Sequence, residues 1–338
     1  MAESLADLLS LLGIGIVALL AWAALAPFEA LGWWAGWFGS NIHTDDLPAD
    51  IPPAKSVEKV HSYLIFLSGI AQVGGESLSR RERAFLDRLD ESLPHTIIID
   101  DIFPYSVNNL PLTGTPFFAG LWRWALRRKL SDNWLERLGG YLINLRNIWQ
   151  VAISIDHRYG PIYNQAMARV IAHGLVRHGY DPEQPLPVFV MGYSGAGQIA
   201  VGAAPYLREQ IGGPVYVILL GGIYGSDPGL LAVDRVYHLY GENDTSQRLT
   251  PLVFPGRWPL MWYSDWNQAR RRGRIVFRNL GPMAHAGSTG YMTSSQQLAD
   301  GMTFQAATIA AVDTIVAENV PNPHRERAAG NGAQVNVE

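Results

Sequence analysis

Residues 186–197 read LPVFVMGYSGAG. The first half is a near-continuous apolar run, as expected of a strand buried on both faces. The second half breaks into a Gly-rich turn and leads into a helical pattern over 195–210. Small residues stand two positions either side of Ser194, namely Gly192 and Ala196. A strained strand-to-helix turn needs them, because the two backbones nearly touch there while the serine is lifted above the sheet edge. The strict pattern has glycine where this chain has Ala196, and alanine is small enough. We therefore read a nucleophile elbow centred on Ser194.

Outward from this turn the chain alternates short apolar runs with longer amphipathic ones. Strands are expected at 60–69, 95–103, 186–192, 215–222, 235–241 and 274–280. Helices are expected from Ser79, where Glu82 completes a capping box, from Pro161 to about Gly179, over 195–210, and over about 295–318. Strands alternating with helices predict an α/β fold, a mainly parallel sheet with helices on both faces. One block, 105–155, breaks the rhythm and reads as a helical cap or insert. Residues 39–56 are rich in Pro and Asp and read as a linker. Residues 321–338 read as a flexible tail.

An elbow predicts an acid and then a histidine, each just beyond a later strand. After the strand at 235–241 come Glu242, Asn243 and Asp244. After the strand at 274–280 comes GPMAHAG (281–287), which carries His285. With GYSGAG and YGENDTS, this set resembles the α/β-hydrolase superfamily over about 57–320. The resemblance implies Ser194 as nucleophile, His285 as base and then acid, and Asp244 as the group that holds the imidazole. It implies an oxyanion hole from the backbone N–H of Gly195 and of a residue near Ile70. The earliest strands of larger members have no room before residue 57, so a trimmed core is expected. Tyr193, Tyr159 and Arg158 are further candidates for the pocket, although Asp156–Tyr159 also reads as punctuation before the Pro161 helix.

Composition narrows the chemistry. The 338 residues contain no cysteine, which excludes disulfides, thiolate metal sites and cysteine catalysis. The net charge of −4 is not that of a generally basic nucleic-acid binder. No phosphate loop, dinucleotide fingerprint or metal-binding helix motif is present, so no cofactor and no metal is expected. His173 and His178 do not share a helix face, and His61 and His238 read as hydrogen-bonded core.

Leu8–Ala26 is an uncharged run of 19 residues, about the thickness of a bilayer core if helical. Trp33, Trp34, Trp37 and Phe38 follow as an interfacial aromatic belt. Residues 1–38 are thus expected to be a single-pass membrane anchor, with a cleaved signal peptide and a buried helix as competing readings. The first positive charges after the run, Lys55 and Lys59, favour a cytoplasmic hydrolase domain. The 11 tryptophans fall only in 22–37, 122–149 and 258–266. Two of these regions are basic: 117–149 carries six Lys/Arg against two acids, and 257–278 six against one. Basic segments rich in tryptophan suit a membrane surface, and they equally suit a cap core with solvated arginines. The expectation is a membrane-anchored serine hydrolase of an ester or thioester, with an apolar acyl or lipid substrate. The alternative is a catalytically silent hydrolase-like module that binds a lipid or a partner.

Overall fold

The computed structural model describes residues 13, 27–36, 59–75, 77–112, 119–129 and 138–320. Among these residues, six parallel strands form one sheet in the order β2-β1-β3-β4-β5-β6. They are β1 (Ser62–Leu67), β2 (Thr96–Ile99), β3 (Val188–Tyr193), β4 (Val215–Leu220), β5 (Arg235–Tyr240) and β6 (Ile275–Asn279). Each lies inside an expected strand, except that β3 runs one residue further, to Tyr193. The second expected strand stops early, at Ile99, and the chain from Asp100 to Pro111 leaves the sheet. The chain runs from β1 outward to β2, then crosses back to β3 on the other side of β1. That reversal places a crevice at the carboxyl ends of β1 and β3, where ligands bind in open parallel sheets.

Strand side chains alternate between two apolar layers. Ile65, Leu67, Val188, Val190 and Val217 face one layer. That layer is built from α4 (Leu138–Ile155), α5 (Gly160–Arg177) and α6 (Ala196–Ile211). Leu64, Phe66, Phe189, Met191 and Ile218 face the other, covered by α2 (Arg80–Ser92) and α10 (Phe304–Asn319). The capping box at the start of α2 is formed as the sequence predicts: Glu82 N–H donates to Ser79 Oγ, and Ser79 N–H to Glu82 Oε2. The last helix begins at Phe304, later than its pattern suggests, because Thr303 caps it and the chain before it forms a loop.

The insert contributes α3 (Ala119–Lys129) and α4. Its described residues pack into the main core. Trp122, Ala125, Ile143, Val151 and Ile153 are buried in the same apolar layer as the sheet. The tryptophans accordingly divide: Trp122 and Trp266 are core, whereas Trp34 and Trp262 are about two-thirds exposed. The remaining described helices are α1 (Pro27–Trp34), α7 (Gly229–Ala232), α8 (Thr245–Val253) and α9 (Asp265–Arg271). No helix among the described residues is long and apolar enough to cross a membrane. The expected anchor run, the linker and the tail lie outside the described residues, Gly13 of the anchor apart.

Candidate active site

Ser194 sits between β3 and α6 with φ of 56°, in the left-handed region that a non-glycine residue rarely adopts. Three backbone bonds hold it there: Ser194 N–H donates to Leu220 O at 3.2 Å, and Ser194 O accepts from Ile223 N–H at 2.8 Å and from Gly197 N–H at 3.0 Å. The small-residue demand read from the sequence has a measurable cause. A Cβ at Gly192 would lie 2.6 Å from the Ala196 carbonyl oxygen, inside van der Waals contact. Ala196 itself is buried without conflict.

The three predicted residues meet at the crevice. Ser194 Oγ lies 2.7 Å from His285 Nε2, and His285 Nδ1 lies 2.9 Å from Asp244 Oδ2. The line Ser194–His285–Asp244 is hydrogen-bonded throughout, the geometry that a nucleophile, a base and an orienting acid require. Asp244 leaves β5 at the same edge and caps α8, its Oδ1 accepting from Gln247 N–H at 3.1 Å. Its carboxyl is fully buried. Burial alone would raise its pKa, but hydrogen bonds from His285 and Tyr291 outweigh this and hold it below the ordinary carboxylate range.

Two tyrosines finish the arrangement. Tyr291 OH donates to Asp244 Oδ2 at 2.5 Å and accepts from Gly241 N–H at 3.0 Å. Burial and the adjacent carboxylate push its pKa far up, so it remains a donor. Tyr193 lines the cavity as expected, stacks on the His285 ring and donates to the His285 carbonyl at 2.7 Å. Tyr291 was not visible in the sequence: no spacing rule marks it, and only the fold brings it back beneath Asp244.

The loop after β1 faces the elbow. A Cβ on Gly195 would fall 2.8 Å from Ile70 Cγ2, and one on Gly69 would fall 3.4 Å from Ser194 Cβ. Neither the Gly195 nor the Ile70 amide is engaged by another described residue. Two unengaged N–H groups in loops that abut the nucleophile are the raw material of an oxyanion hole. A cavity of about 720 Å³ opens in front of Ser194 and His285. Ile70, Leu78, Leu126, Ile223 and Met292 make its walls apolar, and Arg80 and Arg81 also line it.

Arg158 and Tyr159 do not line this cavity. Arg158 is exposed and turned back on Asp156, with Nη2 and Oδ2 3.0 Å apart. Its hydrogen bonds hold the Asp156 carboxyl down at about 2. Tyr159 is the residue before α5, under the Arg158 guanidinium. This is punctuation of a helix start, not part of the pocket. His238 is core, as its strand position suggested. Its Nδ1 lies 3.1 Å from Tyr224 OH, and burial pushes its pKa down to about 3.

No family profile and no curated protein matches the chain. Solved structures similar in outline include a Klebsiella pneumoniae protein assigned as a dienelactone hydrolase. It is 14% identical over 78% of this chain and 88% of that one, with a TM-score of 0.42. A poly(3-hydroxybutyrate) depolymerase from Bordetella parapertussis is 13% identical over 79% and 82%, at 0.35. Esterase B from Lactobacillus rhamnosis, solved with a tributyrin phosphonate, is 12% identical over 77% and 78%, also at 0.35. Such distant likeness says nothing of substrate. A parallel sheet whose strand order reverses at β1 and β3, a left-handed serine on the strand-to-helix turn there, and Asp244 and His285 in sequence order behind it form the arrangement that the resemblance to the α/β-hydrolase superfamily implies.

Proposed function

We propose that this protein is a serine hydrolase that cleaves an ester or thioester through an acyl-Ser194 intermediate. The observation that carries this reading is the unbroken line Ser194–His285–Asp244 at hydrogen-bond distance, opening into the cavity. Ser194 Oγ attacks the substrate carbonyl and passes its proton to His285 Nε2. The Gly195 and Ile70 amides receive the charge that develops on the carbonyl oxygen. His285 then gives the proton to the leaving alcohol or thiol. In the second half, His285 takes a proton from water, the hydroxide oxygen attacks the acyl carbonyl, and Ser194 is released with its proton restored. Asp244 keeps Nδ1–H of His285 bonded and stabilises the imidazolium in both halves. The intact triad favours this reading over a silent binding module.

The apolar walls of the cavity favour an acyl chain or lipid ester over a sugar or a highly charged substrate. Membrane tethering through Leu8–Ala26, with the hydrolase domain on the cytoplasmic side, is part of the same proposal. A surface feature supports the membrane as partner. Leu249, Leu252, Val253, Leu260, Trp262 and Tyr263 are all more than half exposed within 15 residues of chain that begin just after Asp244. Residues 245–264 contain no carboxylate and two arginines. Exposed apolar clusters of this kind mark interaction surfaces.

The test is labelling of the full chain with a fluorophosphonate probe, in parallel with Ser194→Ala, followed by an acyl-chain series of p-nitrophenyl esters. Labelling that is lost in Ser194→Ala, with turnover that rises with chain length, is the expected result. Equal labelling of the two proteins would overturn the assignment of Ser194.

A further inference from the structure

We infer that Asn147, on the inserted helix α4, is a positioning residue for the oxyanion hole. This rests on the hydrolase reading above. The loop Ser68–Val73 carries the Ile70 amide, and its shape decides where that N–H points. Within the loop, Gln72 N–H donates to Gly69 O at 3.2 Å. The remaining restraints come from elsewhere in the chain. Tyr105 OH donates to Ser68 O at 3.0 Å, and Ser68 Oγ donates to Glu82 of α2. Asn147 supplies the restraint nearest the amide itself. Its Nδ2 donates to Ile70 O at 2.7 Å and to Gln72 O at 2.8 Å. One side-chain amide thus spends both hydrogens on two carbonyls two residues apart, and it pins the peptide planes on either side of the turn.

The surroundings make that clamp stiff. Asn147 is fully buried. Its Oδ1 accepts from Arg146 Nη1 at 3.3 Å, and the same Arg146 nitrogen donates to Tyr105 O. A buried amide with every polar atom bonded has one orientation. Without Nδ2, two buried carbonyls lose their donor, and the loop gains freedom to turn the Ile70 N–H away from Ser194. The insert therefore bears on chemistry as well as on access: α3 lends Leu126 to the cavity wall, and α4 sets half of the oxyanion hole. Such a group acts on the transition state more than on the bound ester, because the charge it serves exists only there.

The experiment compares wild type with Asn147→Ala, Asn147→Ser and Asn147→Asp in the full chain. It uses p-nitrophenyl butyrate as substrate and an aliphatic trifluoromethyl ketone, which adds the serine to form a tetrahedral oxyanion. Asn147→Asp keeps the shape and puts a carboxylate against two carbonyls. Removing an oxyanion donor outright costs 10²–10³ in kcat elsewhere, so misorienting one should lower kcat by roughly 10- to 100-fold. KM should stay within about twofold, and ketone affinity should fall in step with kcat. Asn147→Ser, which keeps one donor, should lose less than Asn147→Ala. A variant with normal kcat and ketone affinity but a lowered Tm would overturn the inference, as would a loss confined to KM. Should Asn147→Ala fail to fold, Tyr105→Phe releases the same loop at Ser68, and the same paired fall in kcat and ketone affinity is expected; unchanged values there would also overturn it. If wild type itself neither reacts with the ketone nor turns over ester, the hydrolase reading fails, and that result is separate from all of these.

Discussion

The two sides of the candidate site are built by different means. The serine side, Gly192–Gly197, is made by backbone: one strained φ, one missing Cβ, and carbonyl and amide partners from the neighbouring strand. The oxyanion side, Ser68–Val73, is made by side chains that arrive from three places, Tyr105, Glu82 and Asn147. A site half rests on local geometry, which a short motif can encode. The other half rests on long-range contacts, which no motif encodes. The serine side should therefore fail abruptly when altered, and the oxyanion side by degrees.

The largest effect should come from the nucleophile. Ser194→Ala is expected to lower kcat by a factor on the order of 10⁶, as loss of a triad serine does, with little change in Tm. A steady-state assay with a thermal melt checks both halves of that statement. Asp244→Asn should cost about 10⁴ in kcat by favouring the wrong imidazole tautomer. A residual rate near wild type would mean that another group orients His285. Gly192→Ala tests the backbone side directly. The added Cβ meets the Ala196 carbonyl, so the elbow must shift, with about 2–3 kcal/mol of stability lost and activity lost with it. Urea denaturation and fluorophosphonate labelling would show the two losses together, and an active, fully stable variant would contradict the packing argument.

Smaller effects belong to the supporting side chains. Tyr291→Phe removes one of the donors that hold Asp244 ionised, and about a tenfold loss in kcat is expected, since one hydrogen bond to a charged group contributes roughly 1.5 kcal/mol. The acid limb of its pH–rate profile should also move upward, because the Asp244 pKa then rises toward its ordinary value. His238 makes a prediction about stability alone. Its folded pKa of about 3 lies below the unfolded value of 6.5. Between those values the unfolded chain binds a proton that the folded chain refuses, so stability present above pH 6.5 is lost as the pH falls toward 3. The slope from this one group is at most about 1.4 kcal/mol per pH unit. Urea midpoints between pH 4 and 7 should fall less steeply in His238→Gln than in wild type.

Much of the fold was open to reading in the chain. Six strands were expected and six parallel strands are found among the described residues, because strands buried on both faces must be apolar throughout and the turns between them are rich in Gly and Pro. The triad was equally open, since each member stands one loop beyond a strand and the sheet delivers all three to one edge. How the insert packs was not open to reading. Its helix α4 mixes buried and exposed residues without a clean period, and that pattern alone does not say which neighbour it covers. For Arg158 and Tyr159 the sequence left two readings, pocket or punctuation before the Pro161 helix, and the ion pair of Arg158 with Asp156 fits the second.

By itself, then, the sequence determined the parallel sheet, the strand-to-helix turn at Ser194 and the two loops that bring Asp244 and His285 to it. These follow from periodicity and from spacing measured along a few residues, where the backbone leaves little choice. Only the tertiary structure decided that Tyr291 returns to Asp244, that Trp122 and Trp266 are core while Trp262 is surface, and that Asn147 reaches across 77 residues of chain to Ile70. The physical reason is the same for each. A side chain's partner at long range is chosen by how helices settle on a sheet, and that depends on the shape of the whole core and not on any local stretch of it.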